Sequence, residues 1–362
     1  MKVFAIYLPQ FHEIPENNAW WGKGFTEWTN VKAAKPIFKG HIQPIAPLND
    51  NYYNLLDKET VEWQTQLMKS YGISGMIYYH YYFEGKKLLE KPAENLLNWT
   101  DVDQPFFFCW ANHSWNRAWK GSREVILEQT YGDRKAWKAH FEYLLPFFKD
   151  PRYEKKDNKP LFMIYNTDFS EKNEMLECFD MWCRENGFDG IYSIELCKTV
   201  TNNALAAFES NMSPITQKCF LTEPAVGSLL TYPFDKLYQR IILKLKTVLR
   251  AKGILRTVQV YDGDKIYKTM IEKEPHGDKY IRGMFFGWDN TPRHSFRGYI
   301  ISPPSKDVFM QYADMVKDDE YVFINAWNEW AEGMILEPTE HNGHKYLEWI
   351  KEWSDKNHCD NA

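Results

Sequence analysis

Residues 321–338, YVFINAWNEWAEGMILEP, contain the feature around which the chain is organised. The apolar run 321–326 predicts a buried strand, and Gly333 is expected to turn the chain soon after it. Between them, Glu329 and Glu332 lie three residues apart among tryptophans. On a helical turn their Cβ atoms would lie roughly 5 to 6 Å apart, close to the roughly 5 to 5.5 Å that separates the carboxyl groups of retaining glycosidases. The pattern predicts a catalytic carboxylate pair, and the alternative is a helix start, where the dipole favours acidic side chains.

Seven further apolar runs precede this one and alternate with helical patterns. The eight predicted strands are 3–8, 75–83, 105–111, 160–165, 191–194, 204–208, 281–287 and 321–326. Such alternation predicts a parallel sheet with right-handed crossovers. Polar and aromatic residues follow nearly every strand, which favours a (β/α)8 TIM barrel with its active site at the carboxyl ends of the strands over an open doubly wound sheet. We therefore predict an α/β fold in which residues 1–362 form a single barrel domain with long βα loops.

Several helices are marked by apolar residues at helical spacing. Asp133 is expected to cap a helix whose inward stripe is core: Trp137, Phe141, Leu144 and Phe148. A second stripe, ended by Gly253, predicts another helix: Leu237, Ile241, Leu245 and Val248. These stripes carry no predicted chemistry.

Candidate substrate-binding residues come from the strand ends and the long loops. They are Glu27, Trp28, Tyr79, His80, Trp110, Asn112, His113, Trp115, Glu195, Trp288, Asp289, Asn290, Arg293 and Asn328. Aromatic residues make up 17% of the chain and include 15 tryptophans, and flat aromatic faces stack well on sugar rings. We expect Trp28, Trp110 and Trp115 to line the cavity as stacking platforms. Because strand ends of a barrel converge on one mouth, Glu195 and Asp289 are expected beside the glutamate pair.

Three other patterns contain residue types that can carry chemistry. After the seventh predicted strand, residues 288–293 are interpreted as sugar-binding, with an Asx turn as the alternative. His12, His80 and His113 follow three strands, but single histidines without a tight pair do not predict a metal site. The run Asp262-Gly263-Asp264 resembles the metal motif of nucleotide-sugar transferases, but Asp-Gly more often forms a tight turn, which we predict here. We therefore predict no metal and no cofactor.

Composition excludes several partners. The net charge is -5 with mixed signs throughout, so no basic face is predicted to recruit nucleic acid or an anionic membrane. No signal peptide and no run of about 18 apolar residues is found. The six cysteines show no metal-binding spacing and predict reduced thiols in a cytoplasmic protein. The sequence predicts no particular oligomeric state.

The sequence is similar to the WbsX family at residues 5–31, at Trp110-Ala111-Asn112, at 288–293 and at 325–338. That family belongs to O-antigen and capsule gene clusters, is described as glycosyltransferase, and resembles glycoside hydrolase family 99, the endo-α-mannosidases with a (β/α)8 barrel. The resemblance to their Trp-Asn-Glu-Trp-x-Glu-Gly motif, here residues 327–333, implies that Glu329 assists the substrate's 2-hydroxyl and that Glu332 is acid and base. Ala331 stands where family 99 tends to have a histidine, and His113 stands where WbsX proteins tend to have a glutamate. Both differences affect which substrate is expected and leave the glutamate pair unchanged.

Three functions follow. The first is a retaining glycoside hydrolase, or a transglycosylase of the same site, acting on a polysaccharide or oligosaccharide. The second is a glycosyltransferase that uses an activated donor in O-antigen, capsular or lipopolysaccharide biosynthesis. The third is a non-catalytic glycan-binding barrel. In the glycoside hydrolase, Glu329 and Glu332 would repel each other and be partly desolvated, so one of them should stay protonated at neutral pH. Glu332 is the expected acid.

Overall fold

The computed structural model describes residues 1–116, 124–198, 202–221, 237–275 and 277–359. Eight parallel strands form its central sheet. They are β1 (Lys2–Tyr7), β2 (Gly75–Phe83), β3 (Phe106–Trp110), β4 (Lys159–Ile164), β5 (Tyr192–Cys197), β6 (Thr216–Leu221), β7 (Tyr280–Met284) and β8 (Tyr321–Ile324).

Each strand pairs in parallel with the next, and β8 pairs back onto β1, with Phe4 opposite Phe323. The sheet is therefore a closed barrel, and the predicted (β/α)8 fold is confirmed. An open doubly wound sheet would leave two edge strands unpaired.

Helices surround the barrel and fill its loops. They are α1 (Pro15–Trp21), α2 (Glu27–Ala33), α3 (Lys58–Ser70), α4 (Lys91–Asn98), α5 (Arg134–Lys149), α6 (Lys172–Glu185), α7 (Asn202–Ser210), α8 (Leu237–Ala251), α9 (Gly263–Lys273), α10 (Thr291–His294), α11 (Lys306–Met315) and α12 (Lys345–Cys359). Across the described ranges, no helix is long and apolar enough to cross a membrane.

Phenylalanine rings fill the inside of the barrel. Phe323 lies 5.6 Å from Phe107 and 5.0 Å from Phe220 between ring centroids, and Phe4 lies 5.2 Å from Phe107. A Cβ atom on Gly75 would lie 2.4 Å from the Phe4 ring, so glycine is required for this ring to fit. The interior is thus a packed core, which leaves the carboxyl ends of the strands for a site.

One predicted strand is wrong. Residues 204–208 lie in helix α7, and the sixth strand is β6, further along the chain. The run contains Leu205, Ala206 and Ala207, which are good helix formers, and periodicity alone cannot separate a short apolar strand from a helix.

The predicted tight turn at Asp262-Gly263-Asp264 is also wrong. Asp262 is the N-cap of α9, and its Oδ1 accepts hydrogen bonds from the backbone amides of Asp264 and Lys265 at 3.0 and 3.4 Å. Aspartate favours both turns and caps, because its side chain bonds nearby backbone amides in each. The predicted cap at Asp133 is confirmed, since it accepts from two backbone amides at the start of α5.

Candidate active site

A cleft of about 280 Å³ opens at the carboxyl ends of the barrel strands. Its lining combines charged, aromatic and amide side chains: Leu8, Gln10, Trp21, Tyr79, Tyr81, Ala111, His113, Ser114, Trp115, Asn116, Ile126, Tyr165, Arg293, Glu329 and Glu332. These residues come from β2, from the segments that follow other strands, and from α1 and α10. The cleft therefore occupies the place where such barrels keep their active sites.

The two glutamates are positioned by one tight turn. Glu329 ends a two-residue strand, Asn328–Glu329, and Glu332 ends the 3₁₀ helix Trp330–Glu332. A 3₁₀ helix has three residues per turn, so side chains three apart project in the same direction. Gly333 follows with φ 65°, and a Cβ there would lie 2.7 Å from the backbone nitrogen of Asp289. Glycine therefore allows the turn to close against its neighbour.

Arg293 lies at the centre of three carboxylates. One terminal nitrogen of its guanidinium pairs with Glu332, and the other pairs with the fully buried Glu27 and lies 3.6 Å from Glu329 Oε2. One planar guanidinium thus spans both glutamates of the predicted pair. In the part of the chain that the structure describes, Glu329 Oε2 is buried and accepts no hydrogen bond.

Burial and mutual repulsion favour a shared proton. Burial raises the pKa of Glu329 well above its ordinary value, the charge of Glu332 raises it further, and Arg293 opposes both effects. Burial also raises the pKa of Glu332, against the lowering effect of Arg293. Because Arg293 pairs directly with Glu332 and is more distant from Glu329, the free site favours the proton on Glu329. This distribution differs from the expectation that Glu332 is the protonated partner.

Another buried carboxylate, that of Glu337, holds the turn from the side away from the cleft. Glu337 accepts hydrogen bonds from the indole nitrogens of Trp327 at 2.8 Å and Trp330 at 2.7 Å, from the Tyr53 hydroxyl at 2.7 Å, and from Gln64 at 2.6 Å. Burial raises its pKa to about 7, although these donors lower it. The tryptophans beside the glutamate pair therefore orient the turn through Glu337 and do not line the cleft.

Strand alternation separates the residues of β2. Tyr79 and Tyr81 face the cleft, whereas His80 lies on the other face, where its Nε2 is 2.9 Å from Nε2 of His140 in α5. Successive side chains of a strand point to opposite faces, so Tyr79 and His80 cannot both line the site. The placement of His80 in the site is wrong for this reason.

Only one of the three expected stacking tryptophans lines the cleft. Trp115 does, together with His113. Trp28 is 6% exposed and donates its indole N–H to the Tyr53 carbonyl at 2.8 Å. Trp110 is 2% exposed and donates to the Tyr82 carbonyl at 3.1 Å. Trp28 and Trp110 are core residues whose indole nitrogens are satisfied by backbone, and their expected placement is corrected.

Three further candidates make structural contacts. Glu195 lies within β5, not at its tip, and pairs with Lys172 of α6 at 2.7 Å, outside the barrel wall. Asn112 bonds the backbone of Asn166 in both directions at 2.7 Å. Asn328 bonds the backbone of Leu8 in both directions, at 2.7 and 3.1 Å. The expectation that Glu195 lines the cavity is therefore wrong.

Trp288 and Asp289 line a second cleft, of about 700 Å³, on the other side of Gly333. There the Asp289 carboxylate bonds His41 and Gln43, each at 2.7 Å, and accepts from the Thr291 amide. Trp288 stacks on Tyr299 with 5.6 Å between ring centroids. Asn290 Oδ1 accepts a hydrogen bond from the backbone N–H of Tyr299 at 2.9 Å. Asp289 is thus close to the glutamate pair in backbone position, but its side chain points away from it.

The sequence reasoning missed several cleft residues. Tyr81 lies on the same face of β2 as Tyr79. The alternation of side chains along a strand could have identified Tyr81 as a cleft residue once Tyr79 was placed there. Tyr165 is the first residue after β4, and residues just beyond a barrel strand are site candidates by position. Gln10 lies in a loop, Trp21 ends α1, and Asn116 lies in the short strand Trp115–Asn116; none of the three carries a comparable signal.

No group of three or more metal-binding side chains is found among the residues that the structure describes. His113 is at the cleft, while His80 is bonded to His140 on the outer face of β2. The charged and phenolic side chains that line the cleft are its two glutamates, its arginine and its tyrosines.

Comparisons with known proteins agree with this architecture. The model of a family described as "Glycosyltransferase WbsX" matches residues 3–350. A protein from Xanthomonas campestris pv. campestris, "Uncharacterized protein WxcX", is 32% identical over 95% of this chain and 48% of its own length. The chain thus spans about half the length of the curated relatives it matches.

Two solved structures share the fold at low identity. A GH99 endo-α-mannosidase from Bacteroides thetaiotaomicron has a TM-score of 0.56 at 12% identity, covering 99% of this chain and 98% of its own. A "Glycoside hydrolase-like protein" has a TM-score of 0.56 at 12% identity, covering 97% and 93%. At this identity the likeness concerns the barrel and not its chemistry.

Proposed function

The chain belongs to the WbsX glycosyltransferase family, and from that membership and the cleft we propose that it is a carbohydrate-active enzyme that cleaves glycosidic bonds with retention. Its substrate is a polysaccharide or oligosaccharide, and its chemistry uses Glu329 and Glu332. Mannose-type oligosaccharides are the first substrates to test, because a structural neighbour is an endo-α-mannosidase.

The observation that carries the proposal is the bridging of Glu329 and Glu332 by Arg293. Two carboxyl groups that one guanidinium reaches are close together, as in retaining enzymes, where they lie roughly 5 to 5.5 Å apart. Both carboxyls face a cleft walled by Tyr79, Tyr81 and other aromatic side chains. Rings of this kind bind sugars through their apolar faces and leave the polar groups to fix orientation.

The mechanism divides acid and base roles between the two glutamates. Glu329, as carboxylate, takes the proton of the substrate's 2-hydroxyl, and that oxygen attacks the anomeric carbon to form a 1,2-anhydro sugar. Glu332 gives its proton to the leaving oxygen as the glycosidic bond breaks. Water then opens the anhydro ring at the anomeric carbon. Glu332 takes a proton from that water, and the 2-oxygen recovers one from Glu329, so that both groups return to their first state.

Substrate binding must redistribute the shared proton. In the free site Arg293 favours ionised Glu332, whereas the reaction starts with Glu332 protonated. A bound sugar changes this balance, because its 2-hydroxyl donates to the carboxylate of Glu329, which lines the cleft, and stabilises its ionised form. The proton then resides on Glu332, which is the group that has to donate it.

Glycosyl transfer is the second candidate, since the family description names it. In that case an activated sugar donor would serve O-antigen, capsular or lipopolysaccharide assembly. Cys109, Cys178, Cys183 and Cys219 are buried thiols, and burial of this kind is compatible with the reduced setting expected from their spacing. A barrel that binds glycans without turnover is the third outcome.

The deciding experiment incubates the protein with free oligosaccharides, without nucleotide and with EDTA, and follows the first-formed anomer by NMR. Cleavage with retention under these conditions supports the proposal. Product formation only with a nucleotide sugar, restored by a divalent ion, identifies a transferase. Binding without product identifies the non-catalytic barrel. Glu329→Gln/Glu332→Gln is the matched control, because it keeps the volume of both side chains.

A further inference from the structure

Helix α8 exposes an apolar stripe to solvent. Five large apolar side chains of this helix are between 44% and 58% exposed, and we call them the α8 stripe: Tyr238, Ile241, Ile242, Leu245 and Val248. They recur at helical spacing, so they form one continuous face about 120° wide. Apolar faces of this kind are normally buried in a globular protein, and a contiguous exposed one indicates an interaction surface.

The helix is attached to the protein through its opposite face. Leu243 packs on the hydrophobic core, and Arg250 is buried, with its guanidinium bonded to the Thr257 carbonyl at 2.5 Å and to Gln259 at 3.1 Å. At 100° per residue both lie roughly opposite the centre of the α8 stripe. The stripe is therefore a second apolar face, separate from the one that folding uses.

Charge distinguishes α8 from the rest of the chain. The sequence of α8 contains Arg240, Lys244, Lys246 and Arg250 and no acidic residue, although the whole chain has a net charge of -5. Lys244 and Lys246 are exposed and lie on either side of Leu245, so they border the α8 stripe along both edges. Long basic side chains beside an apolar face reach outward to anionic groups while their methylenes stay in apolar surroundings.

We propose that α8 binds the surface of an anionic lipid bilayer. The α8 stripe enters the boundary between headgroups and acyl chains, and Lys244 and Lys246 contact lipid phosphates. A basic rim around an apolar stripe matches a negatively charged apolar interface, and a second α8 of like charge would repel it. The sequence predicted no face that recruits an anionic membrane, because the net charge of the whole chain is negative. The net charge does not show that basic residues are concentrated on α8.

The position of α8 connects this surface to the cleft. Helix α8 packs against the 3₁₀ turn Ser295–Arg297, which begins two residues after Arg293. A bilayer held by α8 therefore lies on the same side of the barrel as the segment that carries the cleft arginine. Binding to lipid and turnover of glycan are separate properties, so either can be present without the other.

The test is co-sedimentation of the whole protein with vesicles of phosphatidylcholine alone and of phosphatidylcholine with phosphatidylglycerol. We expect binding to the anionic vesicles, weakened by salt, and little binding to the neutral ones. Ile241→Ser/Leu245→Ser should lower the partition coefficient roughly tenfold or more, because the variant lacks two apolar side chains that the wild type buries in the bilayer. Phe38→Ser/Ile42→Ser is the matched control, since both residues are 45% exposed elsewhere, and it should bind as the wild type does.

Charge is tested in the same way. Lys244→Gln/Lys246→Gln should lower binding to anionic vesicles roughly tenfold, whereas Lys265→Gln/Lys268→Gln on the exposed side of α9 should change it little. Equal binding to neutral vesicles, or binding unchanged by the α8 variants, overturns the proposal. So does a dimer that Ile241→Ser/Leu245→Ser dissociates in the absence of vesicle binding, because the stripe would then join two copies of the chain.

Discussion

Arg293 pairs directly with Glu332 and lies 3.6 Å from Glu329, so the two glutamates of the cleft share one cation unequally. The same guanidinium also pairs with Glu27, which is fully buried. The carboxylates raise the pKa of Arg293 despite its burial, so the cation is permanent. Arg293 is therefore the residue that sets the charge of the site.

Replacing Arg293 should damage both stability and activity. Arg293→Gln leaves the buried carboxylates of Glu27 and Glu329 and the partly exposed carboxylate of Glu332 without their cation, which is expected to cost roughly 3 to 5 kcal/mol of unfolding free energy. Arg293 lowers the pKa of Glu329 and Glu332, so its removal should raise both and move the basic limb of the residual pH–rate profile upward. Arg297→Gln, a nearby exposed arginine, is the control. Urea unfolding and pH–rate profiles of the two variants provide the comparison.

Arg293→Lys separates charge from geometry. Lysine keeps the positive charge, but its single ammonium nitrogen cannot pair with both Glu332 and Glu27 as the two terminal nitrogens of arginine do. Activity should therefore fall at least about tenfold, while the pH profile moves little. Full activity in Arg293→Lys would show that a cation alone is sufficient.

Trp115 and Trp110 should respond in opposite ways to truncation. Trp115 lines the cleft, so Trp115→Ala should weaken glycan binding with a small change in melting temperature. Trp110 is buried and bonded to backbone, so Trp110→Ala should cost roughly 3 to 5 kcal/mol of stability. Calorimetry and thermal unfolding measure both quantities for each variant. A stable Trp110→Ala with lost glycan affinity would return Trp110 to the site.

Glu337 should make stability depend on pH. Its pKa is raised by burial to about 7, above the ordinary value of 4.5, so the folded state favours the protonated form. The resulting stability is fully present below about pH 4.5 and is lost as pH rises through 7, by up to about 1.4 kcal/mol per pH unit. Glu337→Gln should flatten this slope in urea unfolding measured from pH 5 to 8.

That variant should also be less stable at every pH, since one amide oxygen replaces two carboxylate oxygens that accept from four donors. Glu348→Gln, on the exposed side of α12, is the control and should keep the slope. An unchanged slope in Glu337→Gln would show that another group titrates in this range.

Much of the barrel could be predicted because its strands are continuous apolar runs ending in polar residues. Residues 204–208 could not, since four or five apolar residues with alanine fit a helix as well as a strand. Glu329, Glu332 and Arg293 could be placed near one another because strand ends converge. Trp28 and Trp110 could not be distinguished from Trp115, because composition does not show whether an indole N–H meets backbone or solvent. His80 and Tyr79 could have been separated by strand alternation alone.

If Glu329 is the base for the 2-hydroxyl and Glu332 is the acid, the two single glutamine variants should differ in their activity on two kinds of substrate. The substrates are the aryl glycoside and the oligosaccharide that the wild type cleaves best. An aryl leaving group needs little acid assistance, so Glu332→Gln should keep appreciable activity on the aryl glycoside and lose it on the oligosaccharide. Glu329→Gln should fall about a hundredfold or more on both. Equal activity of both variants and the wild type on both substrates would show that Glu329 and Glu332 are not the base and the acid.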